Sequence, residues 1–400
     1  MFIKSIVAKE VRDSRGEQTI IVIIKTSKGE FRTSAPSGKS TGKYEVKPYF
    51  RSLKEDVKFI NHLNIDKINY LKVQRFEDLE KFENLVIKKL GGNGLFVLEA
   101  SLLKALAKEN REELWEFLIE NKKVRFPKPV GNAIGGGLHS KGINEKKPDF
   151  QEFLFIPEIK GFKEAIKINN LAYKISGKLL KAKKRNDEGA WETEKINEGV
   201  LNIMKRVQET VKRKYNKKVF IGIDIAASSF FNKKTYNYEN LKRRLDSKKQ
   251  AEYIIRLFRE YDLYYIEDPL NENDFFGFRK LMKEIKKTKN NKKNLIIGDD
   301  LTATNPLRLK KAIKRKSVNA IIIKPNQIGS LLKVKEVINL AKKHGIKTII
   351  SHRSGETMDN TIADLAVGWN CDFIKTGIYG KERVAKLKRI IEIEKSCLRR

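Results

Sequence analysis

The stretch NAIIIKPNQIG (residues 319–329) decides how this chain is read. Its isoleucine run predicts a strand buried on both faces, as in a parallel sheet covered by helices. The run ends on Lys324, with Pro325 directly after it. A buried ammonium is costly unless it is paired or neutralised, so an apolar strand that stops on a lysine needs a reason. The same design recurs along the chain. VFIGIDI (219–225), LYYIEDP (263–269), NLIIGDD (294–300), KTIISHR (347–353) and DFIKTG (372–377) are short apolar runs that end on polar residues. Those ends are Asp224, Glu267, Asp299, Lys324, His352 with Arg353, and Lys375. Segments long enough for a helix separate the runs, which predicts βα units and a parallel sheet, closed or doubly wound. In a closed barrel all these ends share one face, the one on which barrel enzymes carry their chemistry.

A single acidic strand end commonly serves as a helix N-cap, and Asp300 beside Asp299 fits that role. Three carboxylates, two lysines and a His-Arg pair on one rim do not reduce to caps. Asp224, Glu267 and Asp299 would repel one another without a cation between them. An all-oxygen set with no cysteine suits Mg²⁺ rather than Zn²⁺. A neighbouring dication would keep part of Lys324 neutral near neutral pH, which makes it a candidate general base. Arg353 and Lys375 offer positive charge to an anionic substrate, and the arginine fork suits a phosphate.

Upstream the pattern differs. SIVAKEV (5–11) predicts a strand, and QTIIVIIKTSKGEFRTSAP (18–36) a hairpin turning at Lys28-Gly29. LEKFENLVIKKL (79–90) and LEASLLKALAKEN (98–110) predict helices. GGNG (91–94) reads as a glycine turn, and the Pro/Gly cluster FPKPVGNAIGGG (126–137) as the end of this part. The organisation expected is a capping α+β domain over residues 1–125 and a β/α barrel over 126–400, an α/β chain overall.

Bulk properties narrow the function classes. Of the 400 residues, 40% are hydrophobic and 34% charged, a balance that suits a folded chain. The first twelve residues read as a strand rather than a secretory signal, and no apolar run reaches the length of a membrane span. Cys371 and Cys397 cannot build a disulfide framework, so a cytoplasmic location is expected. The net charge of +35 raises nucleic-acid or surface binding as an alternative. The basic residues are dispersed over expected helices and loops, in company with abundant Asn, Ile and Phe, so nucleotide bias explains them and nucleic acid is not the expected main partner. SGKST (37–41) resembles the end of a phosphate-binding P-loop, but Thr33 stands where its first glycine belongs.

A set of strings along the chain goes further. KEVRDSRG (9–16), PSGKSTGKYE (36–45), GGGLH (135–139), QEF (151–153), DEG (187–189), IDIAAS (223–228), IEDP (266–269), GDDLTATNP (298–306), KPNQIG (324–329), SHRSGET (351–357) and IKTG (374–377) occur in this order. Together they resemble the enolase family, phosphopyruvate hydratases, over most of the chain. The resemblance implies an α+β domain on a (β/α)₈-like barrel, in its enolase variant. It implies Mg²⁺-dependent dehydration of 2-phosphoglycerate to phosphoenolpyruvate in glycolysis and gluconeogenesis. It assigns a first Mg²⁺ to Asp224, Glu267 and Asp299, and a second to the substrate with help from Ser40, on a loop that closes. Lys324 is then the base at C2 and Glu188 the acid, with Glu152 nearby, His139 by the substrate and Gln151 at the edge. Arg353 and Ser354 hold the phosphate beside His352, and Lys375 faces the carboxylate. A homodimer or higher homo-oligomer is implied as well. Departures from the family pattern include Lys39 for the usual alanine and SKGINEKKPD after His139. A paralogue acting on another carboxylate is the alternative of the same fold; Arg353, Ser354 and the serine loop, which serve a phosphate, speak against it.

Overall fold

A computed structural model describes residues 1–39, 42–86, 88–120, 123–141, 146–287 and 294–399. Strands β1 (Ile3–Arg12), β2 (Gln18–Thr26) and β3 (Gly29–Ser34) form an antiparallel sheet. Ile20, Val22 and Ile24 of β2 alternate onto its buried face. The β2–β3 turn is Ser27-Lys28, one residue before the expected position, because Thr26 pairs with Gly29. Helices α1 (Leu53–Asn61), α2 (Ile65–Tyr70), α3 (Leu79–Val86), α4 (Gly92–Glu109) and α5 (Leu114–Leu118) follow.

The glycine run expected as a turn instead opens α4, which starts six residues before the predicted helix. The reason is tertiary. A Cβ at residue 92 would lie 2.5 Å from the Asn326 carbonyl oxygen, so only glycine lets α4 approach the segment after Lys324.

The remaining strands are β4 (Lys128–Gly135), β5 (Glu152–Pro157), β6 (Val219–Asp224), a small antiparallel sheet of β7 (Phe231–Asn232), β8 (Thr235–Tyr238) and β9 (Arg243–Leu245), then β10 (Tyr265–Glu267), β11 (Leu295–Gly298), β12 (Ala320–Ile323), β13 (Lys347–Ser351) and β14 (Phe373–Lys375). Helices α6 (Phe162–Leu180) and α7 (Asn197–Tyr215) precede β6. Then α8 (Ser247–Tyr261), α9 (Phe275–Lys286), α10 (Pro306–Arg315), α11 (Leu331–Lys343), α12 (Thr361–Gly368) and α13 (Lys381–Leu398) alternate with or follow the later strands.

Eight strands close a barrel in the order β10-β11-β12-β13-β14-β4-β5-β6. The stretch from Ala320 to Ile323 is buried throughout. Ala320 and Ile322 belong to one apolar cluster with residues such as Leu154, Ile297 and Ile349 of other strands, while Ile321 and Ile323 join the cluster that includes the helices. That is why the strand shows no polar alternation.

Two barrel strands were not read from the sequence. The Pro/Gly cluster at 126–137 contains β4, and β5 follows it as a partner. Strand β5 runs antiparallel to both β4 and β6, whereas the other neighbouring barrel pairs are parallel. The small sheet over residues 231–245 was not anticipated either. Among the described residues no helix is long and apolar enough to cross a membrane.

Candidate active site

The C-terminal ends of β6 and β10 to β14 point to one rim of the barrel. The reversed course of β5 brings its first residue to the same rim, where Glu152 pairs in register with Asp224 and Gly135. A cavity of about 270 Å³ opens there, its wall formed in part by Lys324, Arg353, Lys375, Glu152, Glu188 and Asp299. His139, Gln151, Asp224, His352 and Ser354 also reach it. Glu267 is fully buried and does not line the cavity. Ser40 lies outside the described residues.

The two lysines hold the acidic side chains. Lys375 Nζ lies 2.6 Å from Glu152 Oε2, 2.9 Å from Asp224 Oδ2 and 2.8 Å from Glu267 Oε2. Burial opposes the charge on Lys375, and these carboxylates together raise its pKa well above the usual lysine value. One ammonium cannot neutralise three carboxyl groups, so some of them are pushed toward the protonated form. Accordingly burial and the charge on Asp224 push Glu267 up to about 8. Lys324 Nζ forms a short ion pair with Asp299 Oδ2. Burial disfavours its charge, but Asp299 outweighs that and raises the pKa. In the chain by itself Asp299 therefore favours the charged form of Lys324, and the partly neutral lysine expected from the sequence requires a neighbouring dication.

The acids fit a hard dication by two observations. The donor set is all oxygen, and Asp299 Oδ1 is buried without a hydrogen-bond partner. Among the described residues, however, the group that already brings potential ligand atoms within 4.8 Å of one another is Glu152, Glu188 and His352. Asp224, Glu267 and Asp299 instead stand on three adjacent strands, β6, β10 and β11, with lysine ammoniums drawn in among them. A mixed set of two carboxylates that share a proton and a neutral imidazole suits acid–base work better than Mg²⁺.

That second group has a defined proton arrangement. Burial raises the pKa of Glu152 well above the ordinary carboxyl range, and Glu188 adds to the effect against Lys375. Burial also opposes ionisation of Glu188, but His139 and the bond from Glu152 hold its pKa well below that range. Glu152 is thus pushed toward its protonated form and Glu188 toward its ionised form, and the two titrate as one pair. Asn132 Nδ2 donates to Glu188 Oε2 at 3.0 Å. His139 Nδ1 lies 3.2 Å from Asp187 Oδ1 and 3.7 Å from Glu188 Oε1. Burial lowers its pKa, while Glu188 and Asp187 raise it further, for a net rise. His352 moves the other way: burial holds it well below the usual value, as a neutral ring.

Arg353 Nη1 donates to Asn326 Oδ1 at 3.1 Å, and Ser354 Oγ accepts from the Lys39 amide at 2.8 Å and Arg15 Nη1 at 3.3 Å. Gln151 Nε2 donates to Asp224 Oδ2 at 3.5 Å. Residue-by-residue chemistry missed Asn132, Asp187, Glu45 and Arg15. The last three sit inside the quoted strings DEG, PSGKSTGKYE and KEVRDSRG; Asn132 carries no local signal.

Two family models match the chain, "Enolase, N-terminal domain" over residues 3–118 and "Enolase, C-terminal TIM barrel domain" over residues 123–398. The chain belongs to the enolase family. An enolase of Picrophilus torridus is 35% identical to it, covering 99% of this chain and 99% of that protein. An enolase of Archaeoglobus fulgidus is 35% identical over 98% of this chain and 97% of its own length. One of Sulfurisphaera tokodaii is 37% identical over 98% and 95%. Members of the enolase family are lyases, phosphopyruvate hydratases, and so is this chain. The family also implies dependence on Mg²⁺, in line with the oxygen-rich rim.

Proposed function

We propose that the rim interconverts 2-phosphoglycerate and phosphoenolpyruvate, with Lys324 as the base at C2 and the Glu152–Glu188 pair as the acid at the C3 hydroxyl. One observation carries this reading. Lys324 follows β12 and Glu152 opens β5, and these strands are four apart in the ring of eight, so base and acid face each other across one cavity. A substrate between them can lose a proton on one side and a hydroxyl on the other.

Lys324 takes the proton only in its neutral form, so its ion pair with Asp299 must loosen first. Asp224, Glu267 and Asp299 would hold one Mg²⁺, and Ser40 would contribute to a second. When bound, Mg²⁺ supplies positive charge that stabilises negative charge developing on the substrate carboxylate. The proton for the departing hydroxyl comes from the acid pair. Glu188 faces the substrate as donor, and Glu152 stores the proton in the free chain. Asn132 and His139 fix the Glu188 carboxylate. Arg353 and Ser354 receive the phosphate, Lys375 the carboxylate end, and Gln151, His139 and His352 complete the wall. The same reading carries a boundary between residues 125 and 126, a cytoplasmic location, a place in glycolysis and a homodimer or higher homo-oligomer.

The test is phosphoenolpyruvate formation from 2-phosphoglycerate, followed by ultraviolet absorbance, with Mg²⁺ and with excess chelator. Turnover that needs the metal is expected. A purified, folded chain that makes no phosphoenolpyruvate in Mg²⁺ would overturn the reading.

A further inference from the structure

One buried carboxylate at the site has no part in the chemistry above. Glu45 stands at the C-terminal stem of the segment 36–45, with 6% of its side chain exposed, and pairs with Arg353, whose side chain is 5% exposed. Arg353 Nη2 lies 2.9 Å from Glu45 Oε2 and donates to Oε1 at 3.1 Å. The same Oε1 accepts from the Gly42 amide at 2.8 Å and from Gln327 Nε2 at 3.3 Å. Three segments therefore meet on one side chain: the stem, the turn after Lys324, and the arginine read as the phosphate ligand.

The backbone that carries Glu45 is held on both sides. The Arg308 guanidinium lies 3.5 Å from the centre of the Tyr44 ring, and the Tyr44 hydroxyl donates to Asn273 Oδ1 at 2.6 Å. The Val46 amide donates to the Gln327 carbonyl at 2.9 Å. The arginine is also tied to the other end of the segment. A Cβ at residue 38 would overlap Arg353 Nη2, so the guanidinium packs directly on the Gly38 backbone.

A carboxylate on an anion-binding arginine weakens the attraction for the anion, since it cancels one charge. Its presence there needs a compensating role. A mobile arginine side chain loses rotamer entropy when it is fixed, and a buried, unpaired guanidinium is strongly unfavourable. Glu45 removes both penalties before the substrate arrives, and it does so in one geometry. The Asn326 bond on Nη1 and the Glu45 bonds on Nη2 together leave the fork little freedom to rotate.

We propose that Glu45 is a positioning residue, which holds Arg353 in the orientation that receives the phosphate and couples that orientation to the stem of the segment 36–45. The proposal rests on the reading of Arg353 as the phosphate ligand. Loss of Glu45 then weakens substrate and phosphate binding more than it slows the chemical step, because the base and acid lie on other strands.

The experiment compares the full-length chain with Glu45→Ala, Glu45→Gln, Glu45→Asp and Arg353→Ala in Mg²⁺. It measures KM and kcat for 2-phosphoglycerate, competitive inhibition by inorganic phosphate, and the melting temperature. Turnover by the unsubstituted chain, with phosphate inhibition lost in Arg353→Ala, supports the underlying reading; failure of either overturns that reading and the proposal with it. Given those results, Glu45→Ala is expected to raise KM and the phosphate inhibition constant together by about tenfold, with a smaller fall in kcat. Glu45→Gln keeps an acceptor for Gly42 and for the fork, and is expected to restore both constants to within about threefold of the unsubstituted chain. Unchanged KM and phosphate inhibition in Glu45→Ala would overturn the proposal. So would equal losses in Glu45→Ala and Glu45→Gln, since the position rather than the acceptor would then matter. If Glu45→Ala does not fold, Glu45→Asp decides. Its shortened carboxylate should raise both constants severalfold in a folded chain, and constants equal to those of the unsubstituted chain would overturn the proposal.

Discussion

The rim of this barrel has two halves built by different means. From β6 through β10 to β14, each charged group sits where an apolar strand ends, and the sheet places it. Around β4 and β5, the groups are borne by loops and by a reversed strand, and their neighbours place them. His139 and Glu188 lie in connecting segments, Glu152 at the start of β5. The first half therefore concentrates fixed charge, with Lys324 on Asp299 and Lys375 on Asp224 and Glu267. The second half sets protonation, with Glu152 pushed toward the protonated form and Glu188 toward the ionised form beside His139. A reaction that removes a proton from one carbon and a hydroxyl from the next needs both kinds of construction.

The two halves separate most sharply at Lys324 and Glu188. Lys324→Ala is expected to lose both solvent exchange of the C2 hydrogen and formation of phosphoenolpyruvate, by roughly 10⁴-fold, the upper end for one acid–base group. Glu188→Gln is expected to keep the exchange while dehydration falls by at least ~10²-fold. Proton NMR of 2-phosphoglycerate in D₂O with Mg²⁺ reads both steps. Exchange that survives in the lysine variant, or that vanishes in the glutamine variant with substrate binding intact, would remove the division of labour between the halves.

Within the strand-end half, Asp299→Asn removes one anionic oxygen while keeping the shape. Calorimetry is expected to show Mg²⁺ affinity reduced by at least about tenfold; unchanged affinity would take Asp299 out of the metal site. Arg353→Lys keeps the charge and loses the planar fork. An increase in KM for 2-phosphoglycerate of about tenfold is expected, and an unaltered KM would place the phosphate elsewhere.

The smallest effect sharpens the loop-borne half. Glutamine resembles a protonated carboxyl more than an ionised one. Glu152→Gln keeps an acceptor oxygen for Lys375 and should cost less stability than Glu188→Gln, which leaves His139 facing a neutral group. Thermal melting of the two variants side by side checks this. A larger loss in Glu152→Gln would put the shared proton on Glu188.

Much of this architecture was legible in the residues themselves. A strand buried on both faces, such as the one from Ala320 to Ile323, tolerates no polar side chain along its length. Its polar residue can stand only at the end, and a run of such ends already collects polar groups on one rim. Strands β4 and β5 escaped that rule. The first is crowded with Pro and Gly, and the second carries its rim residue at its start because it runs backwards. Helix α4 began early because Gly92 meets Asn326, far away in the chain.

What the amino-acid order determined by itself was the set of charges and the face they share, since both follow from local periodicity. What only the tertiary structure decided was the state and partner of each charge. Lys324 pairs with Asp299, Lys375 gathers carboxyl groups from β5, β6 and β10, and Glu45 stands on Arg353 from the other end of the chain. Protonation depends on the nearest charge and on burial. Neither is a property of a residue's neighbours in sequence.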